Sequence, residues 1–435
     1  MALKLPWKDF RRIETRGELE ALDWLTMPLT GDVGYFVCVT LSYPKHLHDK
    51  HDDFPLAPEN RTITFDDLSP TSRAALACAT ANPRGYKAKK LMGTFHARKK
   101  YLCHFAHLQF LLKQGLVLEK VHHAISFRQR AHYAPFIEKC LKLRKEAKSK
   151  FKKSVFKKLA NSGFGKSIEN RRRFLECKFV TTRKEALKQF NSPFFVKSRT
   201  LGPELEMIFS RPMQVELCAL TSIGFTILEL SKLIMGSLWY NCIVPRSEAA
   251  GHDIVGMSFS DTDSFCFAVK AASPEAALAP FRDYMDFSNV PASHPWHSNE
   301  RLHQLGFLKD ETALKSRIVG AVCLKAKCYS LLFESREKEA EQSHQNKCKG
   351  VKQSVAKRLR FEDYKRVLLD VSGELRGSQQ SIRSYAHRIY RITQKKRVFN
   401  SFEDKTQTLV CQIHSRSLGH YRTEQIGFFC EKCGK

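Results

Sequence analysis

The stretch Met257-Ser258-Phe259-Ser260-Asp261-Thr262-Asp263-Ser264-Phe265-Cys266-Phe267 decides the reading of this chain. Apolar runs on both sides predict two short strands, 253–259 and 264–269, with Asp261 and Asp263 at the tip of a hairpin. Paired carboxylates on a rigid turn suit magnesium, which takes few hard oxygen ligands and leaves room for substrate phosphates. Two such ions can align an attacking hydroxyl and stabilise the leaving oxygens of an in-line displacement. Asp-x-Asp turns are common, so this one standing alone does not assign catalysis.

A second motif lies upstream, Lys157-Lys158-Leu159-Ala160-Asn161-Ser162-Gly163-Phe164-Gly165. It ends a predicted long amphipathic helix, about Pro135 to Leu159, whose apolar stripe is Ile137, Leu141, Ala147, Phe151, Val155 and Leu159. Between 139 and 158 the helix carries ten bases against one acid, Glu146. A solvated face normally mixes both signs, so this one reads as phosphate-facing, with a plain solvated helix as the alternative. Lys157 lies one turn before Asn161 on the same face. It is placed to reach a nucleoside triphosphate while Asn161 and Phe164 pack near the base and sugar. Gly165 permits close backbone approach, or is simply a helix C-cap.

Charge agrees with such a substrate. The chain has 435 residues, with 73 Lys and Arg against 44 Asp and Glu, a net charge of +29. Nucleic acid is the leading partner for that excess, because phosphate contacts supply most non-specific affinity. A merely basic protein, such as a ribosome-associated factor, is the alternative on charge alone. Hydrophobic content of 43% argues against wholesale disorder, and the length allows two or three subdomains. The fourteen cysteines are scattered, which predicts a reducing intracellular compartment. Met1 to Pro6 is too brief an apolar patch for a signal peptide. Leu220 to Met235 is interrupted by Glu229 and Lys232 and predicts a buried helix over 221–240 rather than a membrane span.

Three motifs in this order resemble family B DNA polymerases. Lys157, Asn161, Ser162, Phe164 and Gly165 match the family's fingers motif, and Asp261-Thr262-Asp263-Ser264 its palm motif. Lys327-Cys328-Tyr329 matches a Lys-x-Tyr that contacts the primer–template in relatives. The resemblance is closer to the protein-primed branch of Polinton (Maverick) elements and adintoviruses, the organellar and viral type B. Tyr43-Pro44-Lys45-His46-Leu47-His48-Asp49, Asp53-Phe54-Pro55-Leu56-Ala57-Pro58-Glu59, Arg144-Lys145-Glu146-Ala147-Lys148, Lys349-Gly350-Val351-Lys352 and Gly419-His420-Tyr421 carry that likeness. Coverage runs from near residue 1 to about 422.

The resemblance implies an α+β right-hand polymerase fold, with a palm built on an antiparallel sheet, helical fingers and a thumb. It implies palm material with a protein-priming insertion over 1–117, fingers over 118–179, palm with the catalytic hairpin over 180–335, thumb over 336–422 and a tail over 423–435. Asp261 and Asp263 would serve a two-ion magnesium site, Asp263 the more directly. Arg144, Lys153 and Lys157 would hold the triphosphate, Asn161 and Phe164 would line the nascent base pair, and Gly165 would lie against the nucleotide. Lys327, Tyr329, Lys349 and Lys352 would contact DNA. The implied partners are a DNA primer–template, deoxynucleoside triphosphates and a terminal priming protein, with no membrane.

Departures from the family are as informative. It uses a further aspartate in a strand motif like Asp-x-x-(Ser/Asn)-Leu-Tyr. In Thr40-Leu41-Ser42-Tyr43-Pro44 the acidic position holds Thr40, and that stretch matches a later segment of the branch. Met1 to Pro6 resembles the stretch just after the true motif, so the missing aspartate is expected a few residues before Met1. No Asp-x-Glu with exonuclease context is present, so no proofreading domain is expected. The chain is therefore read as a fragment begun at an internal methionine, or as a decayed copy and DNA-binding remnant, and is expected to extend primers very poorly.

The rest of the chain is less specific. Val33 to Leu41 predicts a strand, His46 to Arg61 a loop, 105–118 a helix ended by Gly115, and 166–213 an irregular polar segment. The segment 336–350 predicts a surface loop and 355–399 a basic helical region. Cys411-x2-His414 followed by Cys430-x2-Cys433 has zinc-like spacing. His414 falls in a segment that resembles the family anyway, and an atypical tail follows Tyr421, so free thiols are preferred to zinc.

Overall fold

The computed structural model describes residues 3–302, 304–336, 342–371, 373–385 and 388–434. The chain divides into two compact units. The smaller comprises Met1–Leu5, Ala131–Ile227 and Gly377–Lys396, and the larger Pro6–Arg130, Leu228–Arg376 and Arg397–Lys435.

The larger unit is founded on a four-stranded sheet whose strands run, edge to edge, Leu5–Ile13, Val117–Arg130, Val33–Ser42 and Arg98–His104. Val33–Ser42 is β-branched and aromatic as expected, and it pairs antiparallel with both neighbours. Val37, Val39 and Leu41 are fully buried and pack with Phe105, Leu108 and Leu111 of the helix Phe105–Lys113. Trp239, Tyr240 and Ile243 complete this core. They come from a π-helical turn, Leu238–Ile243, that continues the helix Thr221–Ser237. By length and hydropathy alone Thr221–Ala249 is apolar enough to cross a membrane. Its Glu229, however, is 1% exposed in the core, bonded to His107 Nδ1 at 2.8 Å and paired with Lys232.

Met257, Phe265 and Phe267 of the acidic hairpin pack on the same core. Trp239 anchors them, with ring centroids 5.5 Å from Phe265 and 5.3 Å from Phe267. Burial of these aromatics is what fixes the direction of the hairpin. A second core joins the three-stranded sheet Ser316–Lys325, Cys328–Ser335 and Gln342–Cys348 to the helix Phe361–Leu369 through Val322, Leu324, Tyr364, Val367 and Phe399.

In the smaller unit the expected single helix is two, Ala134–Glu146 and Lys150–Ser167. Ala147 turns to extended backbone, and Ser149 accepts from the Lys152 N–H at 3.2 Å, a side-chain cap that begins the second helix. The expected apolar stripe does not keep one phase across this break. Ile137 and Ala147 are buried, whereas Phe151, Val155 and Leu159 are exposed. The expected irregular segment contains a sheet, Glu176–Val180, Leu205–Ser210 and Phe195–Gly202, with Leu205–Ser210 in the middle. The expected boundary at 179/180 falls inside one of these strands. Splitting there would break the antiparallel pairing of Glu176–Val180 with Leu205–Ser210.

Three more expectations change. His46 to Arg61 is not all loop, since it holds a short helix, His48–His51, and the start of the strand Glu59–Thr64. In 336–350, residues 337–341 lie outside the described residues, and Gln342–Cys348 is a strand because it pairs along all of Cys328–Glu334. Among the described residues of 355–399, only Phe361–Leu369 is a helix of any length. A two-stranded ribbon, Glu374–Tyr385 and Arg388–Asn400, follows. Its Ile382, Ile389, Tyr390, Val398 and Phe399 are β-branched or aromatic, which favours strands over the helix that basic composition suggested.

Candidate active site

The acidic hairpin is as the sequence predicts. Asp253–Ser260 and Phe265–Lys270 pair antiparallel from Asp253↔Lys270 to Ser260↔Phe265, leaving Asp261-Thr262-Asp263-Ser264 at the tip. Thr262 takes the left-handed conformation, φ +61°. The Asp261 N–H donates to the Ser264 carbonyl at 3.1 Å, closing the turn. Asp261 Oδ1 faces Lys327 Nζ at 3.2 Å. The Asp263 carboxylate is exposed and, among the described residues, has no hydrogen-bond or ion-pair partner. The described residues bring no third carboxylate, histidine or cysteine into a cluster with these two.

Lys327 occupies the turn between Ser316–Lys325 and Cys328–Ser335, also left-handed at φ +59°. Two residues on, the Tyr329 ring stacks on Phe259 at 4.1 Å between centroids and 20° between planes. Burial, and then the neighbouring Asp261 charge, raise the Tyr329 hydroxyl above its ordinary value, so it stays protonated. The Lys349 N–H donates to the Lys327 carbonyl at 3.1 Å. Lys352 caps the short helix Gln353–Ala356. The structure thus gathers Asp261, Lys327, Tyr329 and the Lys349 backbone in one place, with Asp263 free at the rim.

The remaining expected residues belong to the smaller unit. Lys153, Lys157, Asn161 and Phe164 lie on the helix Lys150–Ser167 at spacings that put them on one face. Arg144 is in the last turn of the preceding helix and is half-buried. A side chain at Gly165 would meet open space, so no protein neighbour demands glycine there. Gly165 lies within the helix rather than at its C-cap, which is Ile168. A cleft of about 630 Å³ opens beside Ser162, Gly163, Gly165, Lys166 and Arg171.

Asp53, whose role no sequence motif indicates, braces the hairpin. Its Oδ2 accepts the Met257 N–H at 3.2 Å, at a β-bulge in the hairpin strand, and Phe54 packs edge-on against Phe265 at 5.9 Å. In the sequence Asp53-Phe54-Pro55-Leu56 carries a likeness to the branch but no spacing that ties it to the hairpin. Phe259 was likewise quoted without a role. Cys411, His414, Cys430 and Cys433, expected as separate free groups, each place a ligand atom within 4.8 Å of the others.

No family model matches this chain, and no curated protein does. Among solved structures, phi29 DNA polymerase is similar. Its ternary complex with primer-template DNA and incoming nucleotide substrates aligns with a TM-score of 0.50 at 14% identity, covering 91% of this chain and 55% of that one. Its orthorhombic crystal form aligns with a TM-score of 0.51 at 12% identity, again over 91% and 55%.

The chain has a DNA-polymerase-like fold. It is of mixed α/β kind, and the chain spans about half the length of the polymerases it matches. Such distant identity concerns the fold, and what the site does is argued from its residues.

Proposed function

We propose that this chain is the polymerising part of a family B DNA polymerase of the protein-primed type. It transfers deoxynucleotidyl groups, as the template directs, to a primer 3′ hydroxyl or first to a protein hydroxyl. The observation that carries the reading is the hairpin tip, Asp261 and Asp263 beside Lys327 and the stacked Tyr329, within a polymerase-like fold.

One exposed and one partly exposed carboxylate on a braced turn fit magnesium, which is commonly held by one or two carboxylates and substrate phosphates. Bound there, it would neutralise charge that develops on the transferring phosphoryl group. The chain's own residues do the rest. Lys327 holds Asp261 in place and offers a cation to the primer–template backbone, with Tyr329, stacked on Phe259, two residues away in the chain. Lys349 and Lys352 extend that basic surface. Arg144, Lys153 and Lys157 bind the triphosphate, while Asn161 and Phe164 line the nascent base pair. Gly165 leaves the backbone open to close approach. A terminal priming protein is the remaining partner in this reading.

A second reading is a non-catalytic DNA-binding remnant of a mobile-element or viral polymerase. It is favoured by the two hairpin carboxylates standing, among the described residues, without a third. Both readings predict primer–template binding that weakens steeply with salt. Labelled primer–template, one deoxynucleotide and magnesium separate them. Template-directed incorporation that disappears in Asp263→Asn, with binding intact, supports the enzyme. Binding without incorporation supports the remnant, and a chain that binds no DNA at low salt sinks both.

A further inference from the structure

The C-terminal segment holds a side-chain cluster that polymerisation does not use. Cys411 and His414 lie in the turn between the short paired strands Thr406–Thr408 and Ser415–Ser417. Cys430 and Cys433 follow the helix Tyr421–Ile426. Three sulfurs surround one nitrogen, His414 Nδ1, at 3.6 Å for Cys411, 3.4 Å for Cys430 and 3.4 Å for Cys433. An imidazole nitrogen offers one lone pair or one hydrogen, so it cannot bond three thiols at once. The edges of a coordination tetrahedron do account for the distances. With Zn–S near 2.3 Å and Zn–N near 2.05 Å, the S···N edge is about 3.6 Å. A polynuclear iron–sulfur cluster would hold its ligands farther apart, because several metal atoms and sulfides lie between them.

The two ligand-bearing turns are also held by hydrogen bonds other than the three contacts to His414 Nδ1. The His414 N–H donates to Cys411 Sγ at 3.4 Å, and the Leu409 N–H to the His414 carbonyl at 2.9 Å. Gln412, between the first two ligands, is left-handed at φ +62°. The Cys433 N–H closes on the Cys430 carbonyl at 3.2 Å. The Val410 N–H reaches the Phe428 carbonyl at 3.0 Å, and buried Arg416 donates to the Gly427 and Phe429 carbonyls at 3.1 and 3.0 Å. Backbone bonds, together with the Arg416 guanidinium, therefore bring the four side chains towards one point.

We propose that Cys411, His414, Cys430 and Cys433 bind one zinc ion as three thiolates and one imidazole. Binding releases the three thiol protons, and four protein ligands leave no open position, so the site is structural. It makes one piece of a segment that touches the rest of the larger unit at several points. Tyr421 Oη donates to Asp49 Oδ2 at 2.7 Å, and the Ser417 N–H to Asp52 Oδ1 at 2.8 Å. Lys432 Nζ donates to the Val255 carbonyl, in the first strand of the acidic hairpin, at 3.5 Å. The ion would thus secure the support under Asp52 and Asp53, the latter bonded to that hairpin. This inference does not depend on the chain being a polymerase.

The test is metal content of the purified full chain after expression with zinc. One zinc per chain is expected, with its affinity, measured against a competing chelator, at least about tenfold weaker in Cys430→Ser and in Cys433→Ser and unchanged in Cys218→Ser, an exposed thiol elsewhere. Cobalt substituted for zinc should give thiolate charge-transfer bands and the intense visible bands of a tetrahedral ion. His414→Cys should keep the metal and shift those bands, which carries the test if a serine variant does not fold. Wild-type chain without zinc or cobalt bands, or equal zinc affinity in wild type and both serine variants, overturns the proposal.

Discussion

Removing Lys327 should strengthen divalent-ion binding at the hairpin while weakening DNA binding. The Lys327 ammonium sits 3.2 Å from Asp261 Oδ1, both side chains being partly exposed at 47% and 37%. In bulk water, charges at that distance attract by about 1.3 kcal/mol. Physiological salt reduces this to about 0.9 kcal/mol. A divalent ion arriving at Asp261 must overcome that attraction, so Lys327→Ala should tighten manganese binding by about fivefold. Alanine replaces one non-glycine residue by another at φ +59°, and an exposed ion pair contributes at most about 1 kcal/mol, so the fold should survive. The same variant should lower the salt slope of primer–template affinity by about 0.9, the share of one phosphate contact. Manganese titration followed by electron paramagnetic resonance gives the first quantity. Fluorescence anisotropy at several salt concentrations gives the second. Asp263→Asn is the control that should abolish manganese binding. If Lys327→Ala binds manganese no more tightly than wild type while that control behaves, the pair does not compete with metal and the argument is wrong.

Acid should destabilise the larger unit in two stages. Burial holds His51, His104 and His420 down at about 4, below the free value near 6.5, so the folded state binds fewer protons there. Their contribution is complete above about pH 6.5 and lost as pH falls towards 4. Burial pushes Glu229 up, but the His107 hydrogen bond and the His107 and Lys232 charges outweigh it and hold the carboxyl at about 2. Its contribution persists above about pH 4.5 and is lost towards pH 2. Urea midpoints that stay level from pH 7 to 4 would count against this account. Gly34→Ala should destabilise the sheet by about 1–3 kcal/mol, because a Cβ there would lie 2.5 Å from the buried Phe127 ring. An unchanged urea midpoint would show that Phe127 yields at no cost.

The sequence alone was enough for the local pieces of the site. The hairpin around Asp261 and Asp263 follows from apolar runs flanking a polar turn, and the face shared by Lys157 and Asn161 follows from helical spacing. Both depend on neighbours in the chain, which is why they could be read. The helix break at Ala147 was less legible, since Ser149 has to be recognised as a cap within a continuous basic pattern. The ribbon at Glu374–Asn400 was missed because charge was weighed above β-branched and aromatic content.

What only the tertiary structure decided are the contacts between distant residues. Asp261 meets Lys327, Phe259 stacks on Tyr329, and Asp53 supports Met257 across more than two hundred residues of chain. The cysteine spacing was visible, but whether four side chains converge depends on how two turns pack, and spacing does not report packing. Periodicity in a sequence reports which side of an element a residue occupies. It cannot say which other element that side will face, because that choice is made by burial of the whole core.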